Sequence, residues 1–465
     1  MTLPKEFTSY TCRLMGQELY SRLEEGLGKE PPVSIRLNPF KCTERAEIAG
    51  KAGGVPWCWL GAYLQSRPNF TFDPLLHAGM YYVQEASSMF LCHAMQQLVT
   101  SPVTMLDLCA APGGKSTAAL SVLPAGSLLF SNEPMRARAN ILAENMAKFG
   151  HEHVVVTNNF PRDFGRSKLQ FDVVLADVPC SGEGMFRKDE NAVSEWSPQH
   201  VDECSRLQRT IIADVWSSLK PGGLLFYSTC TFNTRENEDN VAWIVEEFGA
   251  KLVEVEVEEA WNITGALAHQ GSVYRFIPGL TQGEGLFMAV LRKPGKPADD
   301  APQHPAKQKD AARKLATNWI LNPEDYTLYE KQDTLMAIPR RWAATYNEAC
   351  RSLRVIQAGI TLGSRKGKTL IPDQRLALST RLNRNAFATA DVGYNEAIGY
   401  LRKEAVTLPA GMSTGFTLLT YKHQPLGFVK NIGNRANNLY PAEWKIKSSH
   451  IPAEPCILRL GTPTE

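Results

Sequence analysis

The sequence has no C-x-x-C pair and no cluster of histidines. Its ten cysteines, at positions 12, 42, 58, 92, 109, 180, 204, 230, 350 and 456, are scattered through 465 residues with no neighbouring His pattern. That spacing excludes the common zinc frameworks, and no metal is expected. Long apolar runs are also missing. The stretch Leu224 to Tyr227 is of strand length, well short of the roughly 20 residues that cross a bilayer, so no membrane partner is expected. Met1 to Tyr10 holds no basic cluster followed by an apolar stretch, which predicts no secretory signal, a cytoplasmic location and reduced, available thiols. Neither sign of charge dominates: 50 Lys+Arg stand against 48 Asp+Glu, with 43% hydrophobic and 21% charged residues. This composition excludes collagen-like and wholly disordered chains. The length exceeds one ordinary core, so two to four domains are expected.

The charge is nonetheless uneven. From residue 301 onward there are 23 basic and 13 acidic residues, a net of +10, leaving −8 for residues 1–300. A basic module beside a less basic body fits a polyanionic partner; the bland alternative is a solvated surface.

A helical pattern (Leu14, Leu19, Leu23, Leu27) opens the chain, followed by an extended Val33-Ser34-Ile35-Arg36-Leu37-Asn38 and a second helical stretch from Met80 to Leu98. From about 102, apolar strands alternate with helices, as in a doubly wound α/β sheet. Strands are predicted at Thr104–Leu108, Ser127–Ser131, His153–Val156, Phe171–Ala176, Leu224–Thr229 and Leu286–Arg292, and helices at Arg136–Phe149 and Leu207–Leu219. Units are expected at 1–100, 101–293, 313–400 and 401–465, with a Pro- and Lys-rich linker at 294–312 and a small β-rich module last.

In such a sheet ligands lie beyond the carboxyl ends of the strands. The first predicted strand runs into Cys109-Ala110-Ala111-Pro112-Gly113-Gly114-Lys115, whose small residues let a ligand approach the backbone. Glu133 follows the next strand, at the position that serves ribose hydroxyls in dinucleotide sites. A nicotinamide site would want G-x-G-x-x-G, and a P-loop would want Gly where Cys109 stands. A nucleoside cofactor without phosphates, such as S-adenosyl-L-methionine, fits better.

Two further strands end in Asp177-Val178-Pro179-Cys180-Ser181-Gly182-Glu183-Gly184 and in Cys230-Thr231, which should bring both thiols to the cofactor's side of the sheet. A thiolate there suits addition to carbon-6 of cytosine, which makes carbon-5 nucleophilic toward a sulfonium methyl group. Asp177 is the nearest acid for ring nitrogen 3, and the ring must be unpaired or flipped out to reach the pocket. Alternatively, Cys180 and Cys230 pack against helices and Asp177 caps one.

At these residues the chain resembles the Nop/Sun family of RNA cytosine carbon-5 methyltransferases, and within it the bacterial small-subunit ribosomal RNA branch. The resemblance rests on Val33–Asn38, Tyr82-Val83-Gln84-Glu85-Ala86-Ser87-Ser88-Met89, the Cys109–Lys115 loop, Asp177–Gly184 and Ser228-Thr229-Cys230-Thr231, in the family's order over about the first 290 residues. It implies a Rossmann-like methyltransferase sheet with an N-terminal α+β RNA-binding extension and a C-terminal α+β, PUA-like RNA-binding region, the last marked by Gln424-Pro425-Leu426-Gly427 and Lys430 to Tyr440. It further implies Cys230 as nucleophile, Cys180 as the residue assisting product release, Asp177 in contact with base and cofactor, and Glu133 on the ribose. Arg187-Lys188 would face RNA. Family members commonly carry an acid after the third strand for the adenine amine; this chain has Thr157-Asn158-Asn159-Phe160, and the side-chain oxygen of Asn159 is expected to substitute. The implied partner is RNA, ribosomal or transfer, met by a monomer. Other readings are a DNA cytosine methyltransferase, which would lack the second cysteine, and a non-catalytic RNA-binding assembly factor.

Overall fold

Parallel strands covered on both faces need apolar residues at every position, not at alternate ones. The runs Val154-Val155-Val156, Val173-Val174-Leu175-Ala176 and Leu224-Leu225-Phe226-Tyr227 meet that need, and all are buried in the computed structural model of the protein. The structure describes residues 2–42, 46–296, 317–367, 369–448 and 450–461. The expected linker at 294–312 lies, from 297 onward, outside the described residues.

The central sheet runs in the order Lys251–Val253, Leu286–Arg292, Leu219–Thr229, Phe171–Asp177, Thr104–Asp107, Leu128–Asn132, Val154–Thr157, Val355–Ala358, with Val273–Phe276 paired beside Leu286–Arg292. The five strands from Leu219–Thr229 to Val154–Thr157 are parallel. After Thr104–Asp107 the chain builds outward to Val154–Thr157, then returns to lay Phe171–Asp177 on the other flank. The switch point therefore falls between Thr104–Asp107 and Phe171–Asp177, where such sheets bind ligands. Alternate residues fill two cores: Met105, Val173, Leu175 and Phe226 on one face, Leu106, Val174, Ala176 and Tyr227 on the other.

Several expectations need correction. Met80 to Leu98 is not one helix: Tyr81–Val83 is a strand paired antiparallel to Ile35–Leu37, and the helix begins only at Phe90. Edge pairing with the extension overrides the helical spacing. The helix expected at Leu207–Leu219 is Pro198–Trp216, Leu207 is exposed on its outer face, and Leu219 already opens a strand. The first helix, Lys5–Leu27, is interrupted at Gly16, whose φ of 74° is left-handed. Within the expected unit 313–400, Val355–Ala358 pairs antiparallel with Val154–Thr157 at the edge of the central sheet. The last sheet starts at Ala388–Asp391, on the amino-terminal side of the expected boundary at 401. Among the described residues no helix is long and apolar enough to cross a membrane.

Candidate active site

The loop after Thr104–Asp107 is fixed from three sides. Ala110 N–H donates to the Asn132 carbonyl (2.8 Å), Arg138 to that of Ala111 (3.0 Å) and Asn145 to that of Pro112 (2.8 Å). Gly113 has φ of 116°, and a Cβ there would sit 3.3 Å from Leu142, so only glycine suits this turn. Cys109, Ala110, Ala111, Pro112, Gly114 and Lys115 line a cavity of about 470 Å³. Gly113 turns inward against the helix Arg136–Phe149. Burial, reinforced by Asp107, Asp177 and Glu133, pushes the Cys109 thiol far above its ordinary range, so this sulfur stays protonated.

Glu133 directly follows its strand, with 1% of its side chain exposed. Its Oε1 accepts from Met135 N–H (2.9 Å), while Oε2 accepts no hydrogen bond and lies 3.3 Å from Arg138. Asp107, passed over in the sequence reading, is fully buried. One oxygen accepts from Ser116 (2.6 Å) and the other is unpartnered. Burial raises its pKa to about 7, with Asp177 and Glu133 adding to the rise and Ser116 and Lys115 opposing it. An unsatisfied buried carboxylate oxygen is costly unless a ligand pairs it. Glu133 Oε2 is already paired with Arg138, and neither Glu133 nor Asp107 lines the cavity, but the unpartnered Asp107 oxygen and three carboxylates crowded behind the glycine-rich loop fit a cofactor that carries positive charge, as S-adenosylmethionine does.

The thiols come together through strand register. Phe171–Asp177 and Leu219–Thr229 are adjacent and parallel, with Asp177 opposite Ser228. Asp177 accepts from Ser228 Oγ (2.7 Å) on one oxygen and from Lys115 Nζ (2.9 Å) on the other. Burial alone would lower the Lys115 pKa, but Asp177, with a smaller contribution from Cys230, raises it overall and keeps it cationic. Just beyond, Cys180 Sγ stands 3.2 Å from Cys230 Sγ and accepts from Cys230 N–H (3.4 Å). The contact with Cys230, then burial, then the negative charges of Cys230 and Glu236 push the Cys180 thiol well above its ordinary value. Cys180 thus stays protonated beside the Cys230 sulfur.

Two buried acids that the sequence reading left aside hold these loops. Glu183 accepts from the backbone of Phe232 (2.6 Å) and Asn233 (3.1 Å) and from Trp196 Nε1 (3.0 Å); Glu236 accepts from Ser181 N–H (3.0 Å) and Gln208 (2.8 Å). Each carboxylate ties one cysteine loop to the other. Tyr82, Gln84 and Glu85 of the extension, to which the sequence analysis gives no role, also line the cavity. The signal was a polar Gln-Glu pair inside an apolar stretch.

Two expected contacts are not found. Arg187 is turned inward with 5% of its side chain exposed, bonded to Glu284 and to the carbonyls of Gly26 and Gly283; Lys188 alone reaches the cavity. Asn159 spends its side chain on the backbone of Arg354: Oδ1 accepts from Arg354 N–H (3.0 Å) and Nδ2 donates to the Arg354 carbonyl (3.3 Å). Its side chain is therefore engaged with the C-terminal half.

Residues 98–292 match the family described as 16S rRNA methyltransferase RsmB/F, residues 3–86 the N-terminal domain of 16S rRNA methyltransferase RsmF, and residues 387–446 the methyltransferase RsmF PUA domain. The chain is 32% identical over 437 residues to ribosomal RNA small subunit methyltransferase F of Escherichia coli (strain K12), covering 88% of this chain and 89% of that protein. The protein of the same name from Cronobacter sakazakii is 30% identical over 440 residues, with the same two coverages of 88% and 89%. Two solved structures share the fold. NSun6 from Pyrococcus horikoshii with SFG has a TM-score of 0.54 at 20% identity, over 63% of this chain and 99% of that one. A methyltransferase homolog protein from Pyrococcus horikoshii has 0.53 at 24%, over 62% and 95%. The Rossmann-like sheet with an N-terminal α+β extension and a PUA-like C-terminal region is the architecture found.

Proposed function

Because the chain belongs to the RsmB/F family of 16S rRNA methyltransferases, we propose that it methylates carbon-5 of a cytosine in small-subunit ribosomal RNA, using S-adenosylmethionine and a covalent Cys230 adduct. The observation that carries this reading is the pair of sulfurs 3.2 Å apart, set beside the Asp177–Lys115 pair in the cavity of the glycine-rich loop.

S-adenosylmethionine supplies an electrophilic methyl group on a sulfonium. The chain's own groups do the rest. Cys230 thiolate adds to carbon-6 of the flipped-out ring, and the electrons of the carbon-5–carbon-6 double bond become available at carbon-5. Asp177, kept in place by Ser228 and Lys115, orients the base and stabilises a proton on ring nitrogen 3. After methyl transfer, loss of the carbon-5 proton expels the Cys230 sulfur and restores the double bond. Cys180 assists that elimination from hydrogen-bond distance. Cys109 to Lys115 and Glu133 hold the cofactor.

Cys230→Ala is expected to abolish incorporation of radiolabelled methyl groups into RNA while cofactor binding, measured by calorimetry, stays within about threefold of wild type. Cys180→Ala is expected to accumulate a protein–RNA adduct, visible as a shifted band in a denaturing gel. Full turnover by the Cys230 variant would refute the adduct, and mapping of 5-methylcytosine in ribosomal and transfer RNA with and without the protein tests the substrate.

A further inference from the structure

Extracting one base for chemistry also unstacks its neighbours, and those bases need new surfaces. A second cavity, of about 380 Å³, lies beside the cysteine loop and is not needed for the reaction itself. It is lined by Tyr10, from the first helix, and by Trp196, which is itself buried with 7% exposed. Trp196 is fixed at its indole nitrogen by Glu183 and edge-on by Phe7, with ring centroids 5.5 Å apart. Tyr10 OH is 3.2 Å from Thr234 Oγ1. Asn233, which also lines the cavity, stands three residues beyond Cys230, so the chain cannot separate their backbones by more than about 11 Å.

The rim is basic. Lys5, Arg13 and Arg235 face one carboxylate, Glu6. Arg235 is paired with Asp202, whereas Lys5 and Arg13 are exposed and form no ion pair among the described residues. Aromatic walls with unpaired cations at the edge are what a single unstacked nucleotide requires: rings for the base, ammonium and guanidinium for the flanking phosphates. The volume is within the range of small-ligand pockets.

We infer that this cavity is a subsite for the base adjoining the target cytosine, an inference that rests on the RNA reading above. The helix that begins the chain thereby takes part in choosing the site, by accepting or refusing the neighbouring nucleotide.

The test is fluorescence anisotropy with a short labelled oligoadenylate bearing one central cytosine, and with the same strand made abasic on either side of it. Tyr10→Ala is expected to weaken binding of the intact strand about fivefold or more, the lower end of what one base stacking on one ring contributes. Tyr10→Phe keeps the ring, loses only the Thr234 contact and is expected to bind like wild type. Removing the neighbouring bases should weaken wild type by a similar factor and leave Tyr10→Ala unchanged. The Lys5→Gln, Arg13→Gln double variant, which alters only exposed side chains, should lower the slope of log affinity against log salt by about 0.7 per cation lost. If Tyr10→Ala binds as wild type does, or if Tyr10→Phe is equally impaired, the subsite is refuted while the Cys230 chemistry stands. Failure of wild type to bind the strand at all would refute both.

Discussion

A carboxyl group that is half protonated at neutral pH makes the binding of a cation depend on pH in a predictable direction. Asp107 is such a group in the free protein, with a pKa raised to about 7 and one oxygen without a partner. A positively charged cofactor beside it favours the carboxylate, so binding below pH 7 must first release a proton. Affinity for S-adenosylmethionine should therefore rise about tenfold per pH unit up to pH 7 and level off above it. Calorimetry in buffers of different ionisation enthalpy reads the released proton directly, and Asp107→Asn should remove both the release and the pH dependence. Asp177 belongs to a different class, since Lys115 and Ser228 already occupy its two oxygens. Asp177→Asn leaves a side chain of the same shape but removes the partner of a buried ammonium. Methyl transfer is expected to fall by about a hundredfold or more with the fold intact by circular dichroism, the range typical for losing a positioned acid–base group.

Between elements, the most demanding contact is one guanidinium. Arg36 is fully buried in the extension and donates to Gln84 Oε1 (2.7 Å), Ser121 Oγ (2.6 Å) and Thr117 Oγ1 (2.6 Å), bracing the helix Gly114–Leu120 behind the cofactor loop. A lysine ammonium cannot reach these acceptors in the guanidinium's planar fork. Arg36→Lys should lower stability by about 2 kcal/mol or more, read from urea unfolding, and weaken cofactor binding because the helix loses its brace. Nothing in the sequence distinguishes this arginine from an exposed one, because its acceptors lie 48 to 85 residues away. The same limit explains Arg187, which looked like an RNA contact and is an internal tie to Glu284. By contrast, the central strands were readable because a parallel strand covered on both faces writes its burial into consecutive residues. Once those strands were in order, the residues after each carboxyl end identified the cavity. The stretch from Met80 to Leu98 misled because its apolar spacing reflects two partners, an edge strand for Tyr81–Val83 and the main core for Phe90–Leu98.

At the level of the whole molecule, the C-terminal half is attached to the Val154–Thr157 edge of the sheet. Val355–Ala358 pairs with Val154–Thr157, and one residue earlier in the chain Arg354 donates its N–H to Asn159 Oδ1 and accepts, at its carbonyl, from Asn159 Nδ2 and from Asn158 N–H (3.0 Å). A donor and an acceptor on one amide match a backbone N–H and C=O, which a carboxylate cannot do. Two accounts of position 159 therefore diverge for a single substitution. If Asn159 served as the adenine acceptor, Asn159→Asp would keep or tighten cofactor binding. If it clasps Arg354, the new carboxylate oxygen meets the Arg354 carbonyl with no proton between them. We expect the second result: Asn159→Asp should lose about 1–3 kcal/mol of stability and bind S-adenosylmethionine no better than Asn159→Ala, with the deficit shrinking below pH 5 as the acid regains a proton. Tighter binding in the Asp variant would return this residue to the cofactor.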